Sequence, residues 1–375
     1  LLLPLGVKML FLLLFFQVVF STKVERYNHA STGLPSYGLG FFAGGYSPSQ
    51  GFLNVVEIFN VENNSWYLAN ISTHRSNIAA TSLDNYGIVF FAGGDTKYTY
   101  FDTIDIYNVE TTAWSAEKLS SPRTKLAATS IEKEGIVFFA GGKNFNGCHS
   151  TIDIYNYVTK KWSMYQLSEP RFALSAVALQ KLEIVFFAGG FNSFCNQTFI
   201  IKDYTNNIHT YCGGPSNTVD IYFNKLNKWV IGNLTVARYD MAATTLENRG
   251  LVFFAGGCSS VFEKYSDVID IFDAIKGNWR LQYLTNPKGF LFAVSLVNKD
   301  MVFFGGGISK KEDDVIDIYH GRGIWMMHKL EMARSHLQAV SFPEECILVI
   351  AGGKIGNNAT EQYEIFRFRD ANSLE

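Results

Sequence analysis

Seven basic residues recur at equivalent places in this sequence, and seven carboxylates recur behind them. The cations are Arg26, Arg75, Arg123, Arg171, Arg238, Lys288 and Arg334. The acids each head an acid–Ile–aromatic triplet: Glu57, Asp105, Asp153, Asp220, Asp270, Asp317 and Glu364. Two chemistries are open to such sets. A carboxylate on an interior strand needs a cation or an N–H donor, so the sets can pair one for one inside the fold. Alternatively, seven cations around one mouth would hold an acidic peptide or a sulfated or sialylated glycan. Catalytic signatures are missing: the seven histidines show no HExxH spacing, and there is no P-loop, GxSxG elbow or dinucleotide fingerprint. Five cysteines without a CxxC pair speak against structural zinc.

The elements that carry these residues are repeats. FFAGG occurs at Phe41–Gly45, Phe90–Gly94, Phe138–Gly142, Phe186–Gly190 and Phe253–Gly257, with weaker copies at Phe303–Gly307 and Ile350–Gly353. The closing glycines lie 49, 48, 48, 67, 50 and 46 residues apart. Each basic residue stands 18 positions before the first glycine of its pair, and all six tryptophans (Trp66, Trp114, Trp162, Trp229, Trp279 and Trp325) stand nine before the next basic residue. Within a unit, a small apolar strand, an Ile-Val-Phe-Phe-Ala strand ending on the glycines, the acid-bearing strand and a strand begun by tryptophan follow in order. Four short strands repeated seven times at about 50 residues predict an all-β, seven-bladed β-propeller, with the small side chains innermost where blades converge.

The glycine doublet, the acidic aromatic-bearing third strand and the spaced tryptophan resemble the kelch-repeat β-propeller family over roughly Arg26 to Phe366. No tryptophan is followed by Asp, which separates the chain from tryptophan–aspartate repeats. The resemblance implies a module that presents loops to a protein partner, and in kelch adaptors that capture acidic peptides it implies arginines at the basic landmark. Some kelch-like propellers are similar to galactose oxidase, a copper radical enzyme, and others to sialic-acid epimerases. A carbohydrate-active or copper-radical enzyme is therefore the alternative to a non-catalytic binder. Tyr319-His320 is the pair that raises the copper reading, yet Tyr319 is the aromatic of its triplet, equivalent to Tyr107 and Tyr155. No metal or cofactor is expected.

Thirty-two basic and 34 acidic side chains leave a net charge of −2, which argues against nucleic-acid binding. Residues 1–21 read as a secretory signal peptide, or as an uncleaved anchor that would give the only membrane association, and residues 22–375 as the propeller. The chain is thus expected to be extracytoplasmic and monomeric, with sequons at Asn63, Asn70, Asn196, Asn233 and Asn358. The seventh tryptophan is missing, its place after Glu364 falling at Ser373, while counting nine back from Arg26 gives Gln17, inside the apolar leader. The N-terminal segment can supply the fourth strand of blade seven; if the leader is cleaved near Ser21 that strand is lost, and either a short remnant closes the blade or the chain is truncated.

The connection after the glycines alone varies, from 10 to 13 residues with one jump to 30 between Gly190 and Asp220. That insertion carries Cys195 and Cys212, a disulfide pair permitted by secretion and worth about 3 kcal/mol of loop entropy. Cys346 is expected to be a buried thiol. Loops that vary on a repeated frame are where recognition sits. The candidate binding set is therefore the seven basic landmarks with Tyr46, Asp95, Lys143 and Phe191, which directly follow glycine pairs.

Overall fold

A computed structural model describes residues 14–192, 198–202, 208–260 and 264–369. It is a seven-bladed β-propeller of four-stranded antiparallel blades. Blade three shows the plan: Ala127–Ile131, Ile136–Ala140, Thr151–Asn156 and Lys161–Gln166 pair in chain order. No helix among the described residues is long and apolar enough to cross a membrane.

The first strands of neighbouring blades adjoin, which is why Ala, Ser and Thr populate them. The second strands supply the core. Phe90, Phe91, Phe138, Phe139, Phe186 and Phe187 have no solvent exposure, and alternate rings point to opposite faces of a blade. Phe138 meets Phe187 of the next blade at 6.2 Å between ring centres, so each blade is glued to its neighbour by aromatic pairs. Burying each ring contributes on the order of 2–3 kcal/mol.

The glycine pair is fixed by close approach as well as by backbone conformation. Gly141 and Gly142 have φ of +66° and +98°. A Cβ on Gly141 would stand 2.4 Å from the Arg171 carbonyl oxygen of the next blade, and one on Gly142 would stand 2.9 Å from the Thr124 carbonyl oxygen. Any other residue would push the blades apart.

The N-terminal strand Leu14–Arg26 closes the ring. It pairs antiparallel with Asn358–Arg369, from Leu14 opposite Arg369 to Ser21 opposite Gln362, then shifts register before Arg26 enters blade one. The first strands of blades one and seven, Ala30–Leu34 and Gln338–Phe342, adjoin at the same seam. Residues 14–21, within the segment read as a leader, are therefore the fourth strand of blade seven in this structure.

The long insertion of blade four carries a hairpin that its sequence did not announce, Thr198–Lys202 with Ile208–Cys212. Cys195 and Asn196 lie outside the described residues. Cys346 does not match its expected burial: it occupies the turn between the first two strands of blade seven at φ +55° and is half-buried, because that reversal lies on the face away from the mouth.

Candidate functional site at the channel mouth

The landmark cations are not a solvent-facing ring. All seven are at most 1% exposed, and each meets the triplet acid of its own blade. Arg26–Glu57 and Arg123–Asp153 close at 2.9 and 2.8 Å, Arg75–Asp105 at 2.5 Å, Lys288–Asp317 at 3.2 Å and Arg334–Glu364 at 2.8 Å. Arg171–Asp220 and Arg238–Asp270 pair in the same way. The reason is geometric: the side chain turns inward under the glycine pair, where the second and third strands leave backbone carbonyls to be satisfied. Arg238 donates to the Gly256 oxygen at 3.0 Å and to the Val268 oxygen. Burial lowers its pKa to about 10 while Asp270 opposes the fall, so it stays charged. The acids also reach backwards across the seam: Asp153 accepts from Ser120 N–H at 3.1 Å and Asp270 from Thr235 N–H at 3.0 Å, just after the outer strand of the preceding blade. One buried pair per blade thus ties three strands together and fastens the blade to its predecessor. An acid ligand cannot reach these cations.

The residues that follow the glycine pairs do share one face. Each bridges the residue after its blade's basic landmark: Tyr27 with Tyr46, Ser76 with Asp95, Thr124 with Lys143 and Phe172 with Phe191 are the first four of seven. Their side chains are differently occupied. Asp95 accepts from the Asn77 amide at 2.9 Å, and the Lys143 ammonium stands 4.4 Å from the centre of the Phe172 ring. Phe191 is buried at 8% exposure between Phe172 and Tyr239, so it supports the face without presenting itself. Tyr46 packs edge-on to Tyr27. Two large apolar side chains among the described residues stand well exposed here, Tyr98 and Phe145, at 75% and 77%, on the hairpin tips of blades two and three.

One step further along each blade stands a ring that spacing alone could have found. Asn28, Asn77, Lys125, Ala173, Asp240, Phe290 and His336 each lie two residues after a basic landmark. All seven have positive φ, between +48° and +56°. Their peptides join blade to blade in a collar: Asn77 N–H donates to the Asn28 oxygen at 2.9 Å, Ala173 to Lys125 at 2.9 Å, and His336 to Phe290 at 3.0 Å, with three further links of the same kind. They surround a cavity of about 230 Å³ at the mouth of the axial channel, floored by Ile78, Leu126, Leu174, Met241, Leu291 and Leu337.

His29 takes the seventh floor position. It is 3% exposed, and burial, then Arg26, holds its pKa well below the usual range, with the Ala351 backbone opposing. On the rim, burial with Lys354 and Lys125 nearby lowers His336 to about 3, so it is neutral. Burial raises the Asp240 carboxyl although Lys125 and Lys143 oppose it. Tyr319, the residue behind the copper reading, is 5% exposed and packs on Phe253 and Trp325 at 5.2 and 5.1 Å.

Compared with models of known protein families and with curated proteins, the chain matches none.

Proposed function

We propose that this chain is a kelch-type propeller acting as a non-catalytic binding module, which offers the face around its channel mouth to a protein partner. The repeat order of glycine doublet, acid triplet and spaced tryptophan supports the kelch assignment. The binding reading rests on one observation. Seven rim positions share one backbone conformation and one hydrogen-bonded collar, yet carry Asn, Asn, Lys, Ala, Asp, Phe and His. A purely structural ring would repeat its side chains, as the glycines and buried cations do. With the landmark cations internally paired, little favours an acidic glycan over a protein surface. Exposed Asn63, Asn70, Asn233 and Asn358 fit delivery through the secretory pathway.

The test is capture from secreted material by wild type and by Tyr98→Ser/Phe145→Ser, whose side chains are exposed and cost the fold little. Retention of a partner by wild type and its loss in the double variant supports the proposal. Turnover of a glycan panel, or capture indifferent to the double variant, overturns it.

A further inference from the structure

Two opposite charges at the channel mouth feel each other across the rim but make no close ion pair among the described residues. Lys125 and Asp240, from blades three and five, flank Ala173 of blade four on the rim. Among the described residues no carboxylate lies within 4 Å of the Lys125 ammonium, no cation lies within 4 Å of the Asp240 carboxylate, and that carboxylate accepts no hydrogen bond. The landmark cations of the same two blades are, by contrast, buried and paired, Arg123 with Asp153 and Arg238 with Asp270, whereas Lys125 and Asp240 are half-buried. Ala173, the smallest rim side chain, stands between them in the collar and lines the same cavity.

The opposite rim has another character. Phe290 and His336 stack at 4.0 Å between ring centres and 15° between planes. Phe290 holds φ at +54°, a region that bulky side chains avoid and Asn or Gly would occupy with less strain. Collar geometry explains the backbone there but not the choice of Phe. A bulky ring at a strained position points to a use for the ring face. The stack is neutral, because His336 does not protonate above a pH of about 3. Beneath lies the apolar floor, and the cavity is metabolite-sized, below the roughly 300–1,000 Å³ of drug-sized pockets.

We propose that the mouth cavity binds a small zwitterion of the α-amino acid type, its carboxylate at Lys125, its ammonium at Asp240 and an apolar or aromatic side chain against Phe290 and His336. A single anion would leave Asp240 unsatisfied, and a single cation would leave Lys125 so; one molecule carrying both charges satisfies the pair. The proposal rests on reading this face as the recognition surface, with the amino acid as a ligand that accompanies or regulates the partner.

The probes are L-phenylalanine, L-phenylalaninamide, which lacks the carboxylate, and N-acetyl-L-phenylalanine, which lacks the ammonium, measured by titration calorimetry on the full chain. L-Phenylalanine should bind saturably, and each blocked analogue at least tenfold more weakly. Lys125→Met should weaken L-phenylalanine by at least tenfold and leave phenylalaninamide unchanged; Asp240→Asn should do the same for L-phenylalanine and N-acetylphenylalanine. Thermal melts verify folding, and Lys125→Gln replaces Lys125→Met should the latter misfold. No saturable binding of L-phenylalanine, equal binding of the three probes, or variants that leave the ranking intact would each overturn the proposal. Partner capture without amino-acid binding defeats this inference and spares the module; amino-acid binding without any partner does the reverse.

Discussion

Gln17 stands directly opposite Phe366 in the strand pair that closes the ring. In the other six blades that place, across from the triplet aromatic, belongs to tryptophan, as Trp114 opposite Tyr107 and Trp229 opposite Tyr222 show. The Gln17 side-chain amide also donates to Glu364 at 2.5 Å, so the closing strand touches the buried acid of blade seven. The N-terminal segment therefore follows the register of the repeat.

Removal of residues 1–21 should then open the seam. Eight consecutive residue pairs between Leu14–Ser21 and Gln362–Arg369 would go, leaving an unpaired strand edge. The expected result is a melting temperature lowered by ten degrees or more and faster proteolysis, with recovery when a Leu14–Arg26 peptide is added in trans. A truncated chain that melts like the full one would show that this strand is dispensable. Intact-mass analysis of protein from expressing cells then reports whether the segment is retained.

Charge reversal at a landmark tests the internal pairing. Arg123→Glu would place a second carboxylate beside Asp153, both without exposure to speak of, at 0% and 2%. Removing one partner of a buried pair costs about 3–5 kcal/mol, and reversal costs more. The variant is expected to unfold or to lose most of its stability to denaturant. Asp153→Asn should cost less, because the amide oxygen can still accept from Ser120 N–H. Near-wild-type stability for Arg123→Glu would contradict the buried pairing.

Blade six is the imperfect copy. Lys288 donates to the Val315 oxygen at 2.9 Å, while its contact with Asp317 Oδ2 at 3.2 Å is an ion pair without hydrogen-bond geometry. Arginine at the same place in blades four and five also bonds the first glycine's carbonyl, at 2.8 and 3.0 Å. Lys288→Arg should therefore raise stability by about 1.5–3 kcal/mol, the worth of one added charge-assisted bond. A denaturant midpoint unchanged or lower would mean that the local backbone has adjusted to lysine.

Much of this was legible in the sequence because repetition amplifies weak signals. A glycine doublet alone says little; the same doublet seven times, 18 residues after a cation, fixes the blade. Even the place of Gln17 follows from counting nine back from Arg26. Less legible was where side chains point. The backbone of Arg123 does lie on the loop face, next to Thr124 and its bridge to Lys143. Yet the guanidinium folds inward, because a buried carboxylate and unsatisfied carbonyls outbid water for it. The rim residues Lys125, Asp240 and Phe290 escaped notice for the opposite reason: they share a spacing and no residue type. Phe191 directly follows a glycine pair like Lys143, but its side chain is taken up by Phe172 and Tyr239.

The face away from the mouth sets a pH limit on stability. Glu132, in the turn between the first two strands of blade three, has its carboxyl raised to about 7, by burial first and by the nearby Asp84 charge second, with the Asn85 backbone N–H opposing. Its own N–H donates to the Gln180 side-chain oxygen at 3.0 Å, which holds the turn in place. The unfolded chain loses this proton near pH 4.5 and the folded protein near 7. Between those values the folded state binds more protons, so stability falls as pH rises and levels off above about 7. Glu132→Gln removes the titration. The variant should gain on wild type progressively between pH 4.5 and 7, by on the order of 1–3 kcal/mol, with a constant difference outside that window. His336 and His29 act with the opposite sign: their depressed pKa values make stability fall as pH drops below about 6.5. Both proteins carry those histidines, so the contribution cancels in the difference. Urea unfolding of the pair at pH 4, 5.5, 7 and 8.5 measures it directly, and a difference independent of pH would place the Glu132 carboxyl in solvent, ionised in both states.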